Sequence, residues 1–232
     1  VIYLVFNEGY SASSGAQLTR HDLCSEAIRL AEQLLTLIAE PNLSAEIQGL
    51  LALLLLQDAR RVARCDAQGD LILLEHQDRR LWNREQTQRG VALLTQALRS
   101  GYLGRFTLQA AIAAVHAEAP SYAATDWTQI AALYQVLWQH YPSPVVALNR
   151  AVALGMAQGA AVGLAEVEAV VNSGQLDAYH LAYAARADFQ RRLGQYAAAQ
   201  ADYQRALNLA RQEPERRFLR QRLEEMKQAG ES

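Results

Sequence analysis

Lysine is almost missing from this chain: of its 22 basic residues only Lys227 is a lysine, and the rest are arginines. An arginine surface suits bidentate pairing with carboxylates, although a GC-rich coding sequence gives the same bias. Charge of one sign is also missing, since the formal net charge is −2. Strong non-specific attachment to nucleic acid is therefore not expected of this chain by itself. Only two cysteines are present, Cys24 and Cys65, too few and too far apart for a disulfide framework or a metal knuckle. Buried free thiols in a reducing cytoplasm are the expectation. No apolar run approaches the ~18 residues that cross a bilayer, so no membrane span is expected. A basic leader ahead of an apolar segment is absent as well. The chain lacks an initiator Met and opens on Val1-Ile2-Tyr3-Leu4-Val5-Phe6, which reads as an apolar helix cut through its middle. A fragment of a longer protein is expected.

Motifs of common catalysts are wanting too. There is no G-x-S-x-G, no phosphate-cradling glycine loop and no H-E-x-x-H. His116-Ala117-Glu118 echoes the H-x-E of zinc deaminases. Those enzymes complete the metal site with a downstream P-C-x-x-C; here Pro120 is followed by Ser121 and Tyr122, and both cysteines lie upstream. Glu75, His76 and Asp78 could be imagined as metal ligands, but on a regular backbone two of them point apart and no partner motif follows. The expectation is no catalytic residue, no metal, no cofactor and no enzyme.

What is present is helix. Proline is scarce (5 residues), apolar residues make up 51%, and Ala, Leu and Gln are abundant. The chain is expected to be all-α. Its centre is Ser44 to Arg64, with Ile47, Leu50, Leu51, Leu53, Leu54, Leu55, Leu56, Ala59 and Val62 apolar nearly all round. Such a helix belongs inside a domain, and Ser44 is its expected cap. Ahead of it, Asn7 to Gly15 reads as a loop, and Asp22 as the cap of a helix ending at Pro41-Asn42. After it, Asp66-Ala67-Gln68-Gly69-Asp70 is a turn signal leading into Leu71-Ile72-Leu73-Leu74, consistent with one short β-hairpin near 66–74. Asn83 caps a fourth helix that closes near Gly101. A boundary in Gly101 to Arg105 separates a helical domain, 1–105, from a second region, 106–232.

That second region is Ala-rich and its helices come in pairs: Phe106 to Glu118, Asp126 to His140, Val145 to Ala157 with Ala161 to Val171, and Leu181 to Leu193 with Ala197 to Arg211. Glu215 to Gln228 closes the array through Phe218, Leu219, Leu223 and Met226. In the last pair Tyr183, Ala187, Gly194, Tyr196, Ala199, Tyr203 and Ala206 sit at tetratricopeptide (TPR) offsets, and Gly159 precedes Gly194 by one period of roughly 34 residues. Two and a half to three TPR-like antiparallel pairs in a right-handed solenoid are expected. Its concave face, near Tyr179, Arg186 and Gln190, is a candidate surface for a protein partner. Tyr183 at its TPR offset is expected inside the repeat.

One group of charges carries the sharper question. Arg60, Arg61, Arg64, Asp66, Asp70, Glu75, Asp78, Arg79 and Arg80 crowd around a turn beside the most apolar helix. They form either an internal Arg–carboxylate network that pins the turn to the helix end, or a docking face with Trp82 as aromatic anchor; the two are compatible. The candidate protein-binding set is Arg60, Arg61, Arg64, Asp66, Asp78, Arg79 and Trp82.

The order of these motifs is specific. Tyr3-Leu4-Val5-Phe6-Asn7-Glu8-Gly9-Tyr10; Ala59-Arg60-Arg61 through Asp66, Gly69, Asp70 and Leu71 to Gln77-Asp78-Arg79, Trp82 and Asn83; Leu108 to Ala114 with His116-Ala117-Glu118-Ala119-Pro120; and Pro144 to Val152 together resemble one family. It is the TPR-containing C-terminal extension of bacterial extracytoplasmic-function sigma factors, of the sigma-70 family, and the resemblance covers essentially the whole chain. It implies a full-length protein that binds core RNA polymerase and directs it to particular promoters. The polymerase-binding and promoter-reading modules of that family precede this region. Neither a helix-turn-helix with a basic recognition helix nor a basic aromatic promoter reader is visible here. The implied role is a regulatory one, contacting its own N-terminal modules, core polymerase or another protein. A free-standing TPR-like scaffold is the alternative, and a small-molecule sensor or enzyme a third.

Overall fold

The computed structural model describes residues 1–10 and 20–230, and these are helical throughout, with short turns between helices. They divide into two compact units, Val1–Asp126 and Trp127–Ser232.

The first unit is built on α3 (Pro41–Asp58), which packs against α1 (Ile2–Tyr10), α2 (His21–Leu37), α4 (Arg84–Arg99) and α5 (Arg105–Glu118). Leu50 to Leu56 are all buried, as a helix apolar on every side requires. Phe6 from α1 and Cys24, Ala27 and Ala31 from α2 complete the core on one side. The helix begins earlier than its expected cap at Ser44. Pro41 occupies the first turn, where its missing N–H costs nothing, and the Glu40 carboxylate accepts from the N–H groups of Asn42 and Leu43. It also ends earlier than Arg64, at Asp58, because the chain tightens into a 3-10 turn at Arg61–Ala63. α1 runs through Asn7 to Tyr10, where the sequence suggested a loop; the rest of that expected loop, Ser11 to Gly15, lies outside the described residues. Arg20, with no side-chain cap bond, precedes α2, and Asp22 sits inside its first turn.

The division between these units falls after Asp126, whereas the sequence suggested a boundary at 105/106. α5 lies against α3, burying Thr107, Leu108, Ala110, Ala111, Ile112 and Ala114. Gly49 makes this possible: a Cβ there would lie 2.6 Å from Thr107 N and 2.8 Å from Thr107 Cα. The alanines of α5 serve the same close approach, which is why its composition resembles that of the second half. The expected β-hairpin is reduced to a single antiparallel bridge, Cys65 to Leu71, with no strand among the described residues. The Asp66 carboxylate closes the turn by accepting from Gln68 N (2.9 Å) and Asp70 N (2.8 Å), with Gly69 at φ +79°. The chain then leaves in 3-10 turns at Leu74–His76 and Arg79–Leu81 rather than extending.

The second unit strings together α6 (Trp127–His140), α7 (Pro144–Gln158), α8 (Ala160–Asn172), α9 (His180–Arg192), α10 (Tyr196–Leu209) and α11 (Glu213–Gly230), each packed against the next. The single residue Gly159, at φ +109°, joins α7 to α8 as a tight hairpin. Within it the two helices touch at glycines: a Cβ on Gly155 would lie 2.5 Å from Gly163 Cα and 2.3 Å from the ring of Phe189. Tyr183, Ala187, Ala199, Tyr203 and Ala206, read from the sequence as repeat-packing residues, are all buried, together with Leu219, Leu223 and Met226 of α11. No helix among the described residues is long and apolar enough to cross a membrane.

Candidate functional site

The charged stretch after α3 folds into a knot that ties distant segments of the first unit together. Asn83 N donates to Ala59 O (2.8 Å), bringing the start of α4 to the end of α3. Asn83 then caps α4 by accepting from Gln86 N (3.0 Å), as its sequence position predicts. Gln86 Nε2 in turn donates to the buried carboxylate of Asp58 (2.9 Å), which Arg61 Nε approaches at 3.7 Å.

Three arginines organise the knot. Arg60 Nη2 donates to the Tyr10 hydroxyl (2.7 Å). Arg64, 8% exposed, donates to Tyr10 O and lies with its guanidinium 3.5 Å from the centre of the Tyr10 ring. Arg79 Nη1 donates to His116 O (2.7 Å) and Ala119 O (2.8 Å), satisfying carbonyls that the end of α5 leaves open. The guanidiniums of Arg79 and Arg60 pack over the Trp82 ring at 4.4 and 5.7 Å.

Trp82 is 6% exposed, so it is a core residue of the knot and not an aromatic anchor offered to a partner. The knot is internal, but it is not tied as the expected Arg–carboxylate network: Arg61 and Arg80 approach Asp58 and Asp78, whereas Arg60, Arg64 and Arg79 bond to other groups. Asp66 is spent on its own turn. Asp78 starts the Arg79–Leu81 turn by accepting from Arg80 N (3.0 Å) and pairs with the exposed Arg80 side chain (2.7 Å). That pairing holds the Asp78 carboxyl below the usual range. The long contacts run instead from guanidinium to backbone oxygen, hydroxyl and aromatic face.

Burial and the charge of Arg60 both pull Arg79 below its usual value, and burial does the same to Arg64. His116, behind them, is pushed down to about 4, first by burial and then by the charges of Arg60 and Arg79. Burial raises the Cys24 thiol to about 11, with Asp58 adding to it. Glu75 and His76 lie 3.5 Å apart at the surface, and among the described residues no three His, Cys, Asp or Glu side chains are grouped to hold a metal.

In the second unit the three residues expected on an open face are largely internal. Arg186 grips Asp202 with two bonds of 2.6 Å, Gln190 is 7% exposed, and Tyr179 packs against the core. One concavity of this unit lies elsewhere. A groove of about 430 Å³ is lined by Trp138, Pro142, Pro144, Ala147, Arg150, Glu166 and Val170, and its Arg150 is bonded to Glu166 (3.1 Å) and to Gln135 (2.6 Å). Sequence reasoning used Arg150 only as part of a motif, and Tyr10 likewise; no local pattern marks either as the partner of a residue on another helix.

Comparison with known proteins adds family context. The model of a "Family of unknown function (DUF6596)" matches residues 1–98, which is α1 to the last turn of α4. "Uncharacterized protein R00370" of Rhizobium meliloti (strain 1021) is 44% identical over 227 residues, covering 97% of this chain and 52% of that protein. The chain therefore spans about half the length of the curated relative it matches. No solved structure matches it.

Proposed function

We propose that this chain is the C-terminal regulatory, protein-interaction region of an extracytoplasmic-function RNA polymerase sigma factor. Full-length, that protein directs promoter-specific initiation through modules outside this chain. The observation that carries the reading is the convergence of its motif residues. Tyr10, Arg60, Arg64, Arg79, Trp82 and the His116–Ala119 carbonyls come from segments scattered along the sequence, yet they are bonded to one another. Part of the residues that carry the family resemblance thus build a single knot. The length of the Rhizobium relative, about twice the matched segment, supports a further part of comparable size in proteins of this kind. In this reading the second unit is a TPR-like right-handed solenoid serving as a docking scaffold, supported by the buried Tyr183, Ala187, Ala199, Tyr203 and Ala206 set.

The test is co-purification of the chain with core RNA polymerase and, separately, with the remaining part of its own full-length protein, beside promoter-specific transcription by the intact and the truncated protein. Binding to either target, with transcription altered by the truncation, is the expected result. Binding to neither, with transcription unchanged by truncation, refutes it. The same buried tyrosine and alanine set also fits a free-standing TPR-like scaffold, which a reading frame without sigma modules would favour.

A further inference from the structure

Arg60, Arg64 and Arg79 share an unusual property: among the described residues none has a carboxylate within ion-pair distance. Arg84, Arg99, Arg205 and Arg211 also have none, but all four are exposed and water solvates them. Arg64 is buried, and Arg60 and Arg79 are partly so. Residues 11–19, which follow Tyr10, contain no Asp or Glu. The knot thus holds three positive charges where solvation is poor and no carboxylate is paired with any of them.

Two turns of the same knot carry two apolar side chains that the fold leaves in water. Val62, 66% exposed, sits on the Arg61–Ala63 turn, and Leu81, 51% exposed, on the Arg79–Leu81 turn. The two turns pack against each other. Each apolar residue is two positions from an uncompensated arginine, Val62 from Arg60 and Leu81 from Arg79.

We propose that this surface docks an acidic, amphipathic segment of a partner protein. Apolar side chains of the segment cover Val62 and Leu81, and its carboxylates face Arg60, whose guanidinium keeps nitrogens beyond the one on Tyr10. Arg64 and Arg79 act from behind as fixed positive charge. A low-dielectric surround weakens their screening by salt. Nucleic acid is the poorer occupant, since a phosphate backbone has nothing to cover the apolar pair. This deepens, and rests on, the reading of the chain as a protein-interaction region.

The probe is a fluorescently labelled peptide of Glu alternating with Leu and Phe. A matching peptide with Lys for Glu and a labelled DNA duplex serve as competitor classes. Anisotropy is measured with the wild-type chain, with Arg60→Gln, and with the double variant Val62→Ser/Leu81→Ser, whose sites are exposed and whose fold is checked by circular dichroism. The acidic peptide should bind more tightly at low salt, and each variant should weaken it about tenfold, or ~1.4 kcal/mol. No saturable binding, equal binding of the Lys peptide, preference for DNA, or undiminished binding by the folded double variant overturns the proposal. The double variant is also carried into the polymerase and own-protein co-purifications. If wild type binds there and the variant binds equally, the surface is wrong while the regulatory reading stands. If wild type binds neither target but binds the acidic peptide in a variant-sensitive way, the surface stands and the regulatory reading fails.

Discussion

Lowering the pH below neutrality should destabilise the first unit through one residue, His116. In the folded chain its imidazole is held near 4, against 6.5 for the unperturbed group, by burial and by the guanidiniums of Arg60 and Arg79. A histidine held neutral when folded takes up its proton only on unfolding, so stability is intact above pH 6.5 and is withdrawn as pH falls toward 4. At 1.36 kcal/mol per pH decade, the loss between pH 7 and pH 5 is about 2 kcal/mol. For a unit of this size that is a fall in Tm of roughly 5–10 °C. The assay is urea or thermal unfolding of wild type and His116→Gln at matched pH. The glutamine cannot charge, so the difference between the two curves isolates His116 from carboxylates such as Asp78 and Glu213, which hold charge to lower pH because arginines pair with them. Replacing Arg79 with Met removes one source of the depression and should move the midpoint of that difference upward. A wild-type-minus-variant difference that stays flat from pH 7 to 5 refutes the reasoning.

Glycine substitutions should act on one unit at a time. Gly49→Ala drives a methyl into the Thr107 backbone and should cost the first unit about 2–4 kcal/mol. Gly155→Ala meets Gly163 and Phe189 and should do the same to the second; limited proteolysis reports which unit opens. Asp202→Ala strands Arg186, whose side chain is 18% exposed, and should destabilise the second unit by about 3 kcal/mol, whereas replacing both members by Leu recovers much of the loss. Thiol labelling near neutral pH should modify Cys65 well before Cys24, which is buried and titrates at about 11; equal rates would contradict that burial.

Much of the fold was legible because its signals are local. The apolar girth of Leu50 to Leu56 marks a central helix whatever surrounds it, and Asn83 caps α4 with the atom its position promises. The spacing of Tyr183, Ala187, Ala199, Tyr203 and Ala206 pointed to their burial, because side chains recurring on one helix face pack together. Element ends were less legible. Ser44 looks like a cap in isolation, but the helix starts one turn earlier, where Glu40 accepts from the N–H groups of Asn42 and Leu43. The Asp66–Asp70 turn looks like the tip of a hairpin, but Asp66 satisfies its donors locally and no ladder forms.

The candidate site divides along the same line. Sequence alone determined that arginines, carboxylates and a tryptophan crowd beside the apolar helix, and that helix dominates the chain, since composition and spacing are properties of the string. Only the tertiary structure decided which charges meet. It buried Trp82 beneath Arg79 and Arg60, and set Arg64 on Tyr10 and Arg79 on the end of α5. It also kept the nearby carboxylates for their own turns and helix ends. The reason is physical: a guanidinium donates to any oxygen, or packs on any aromatic face, within reach, and which one is within reach depends on how helices far apart in sequence cross.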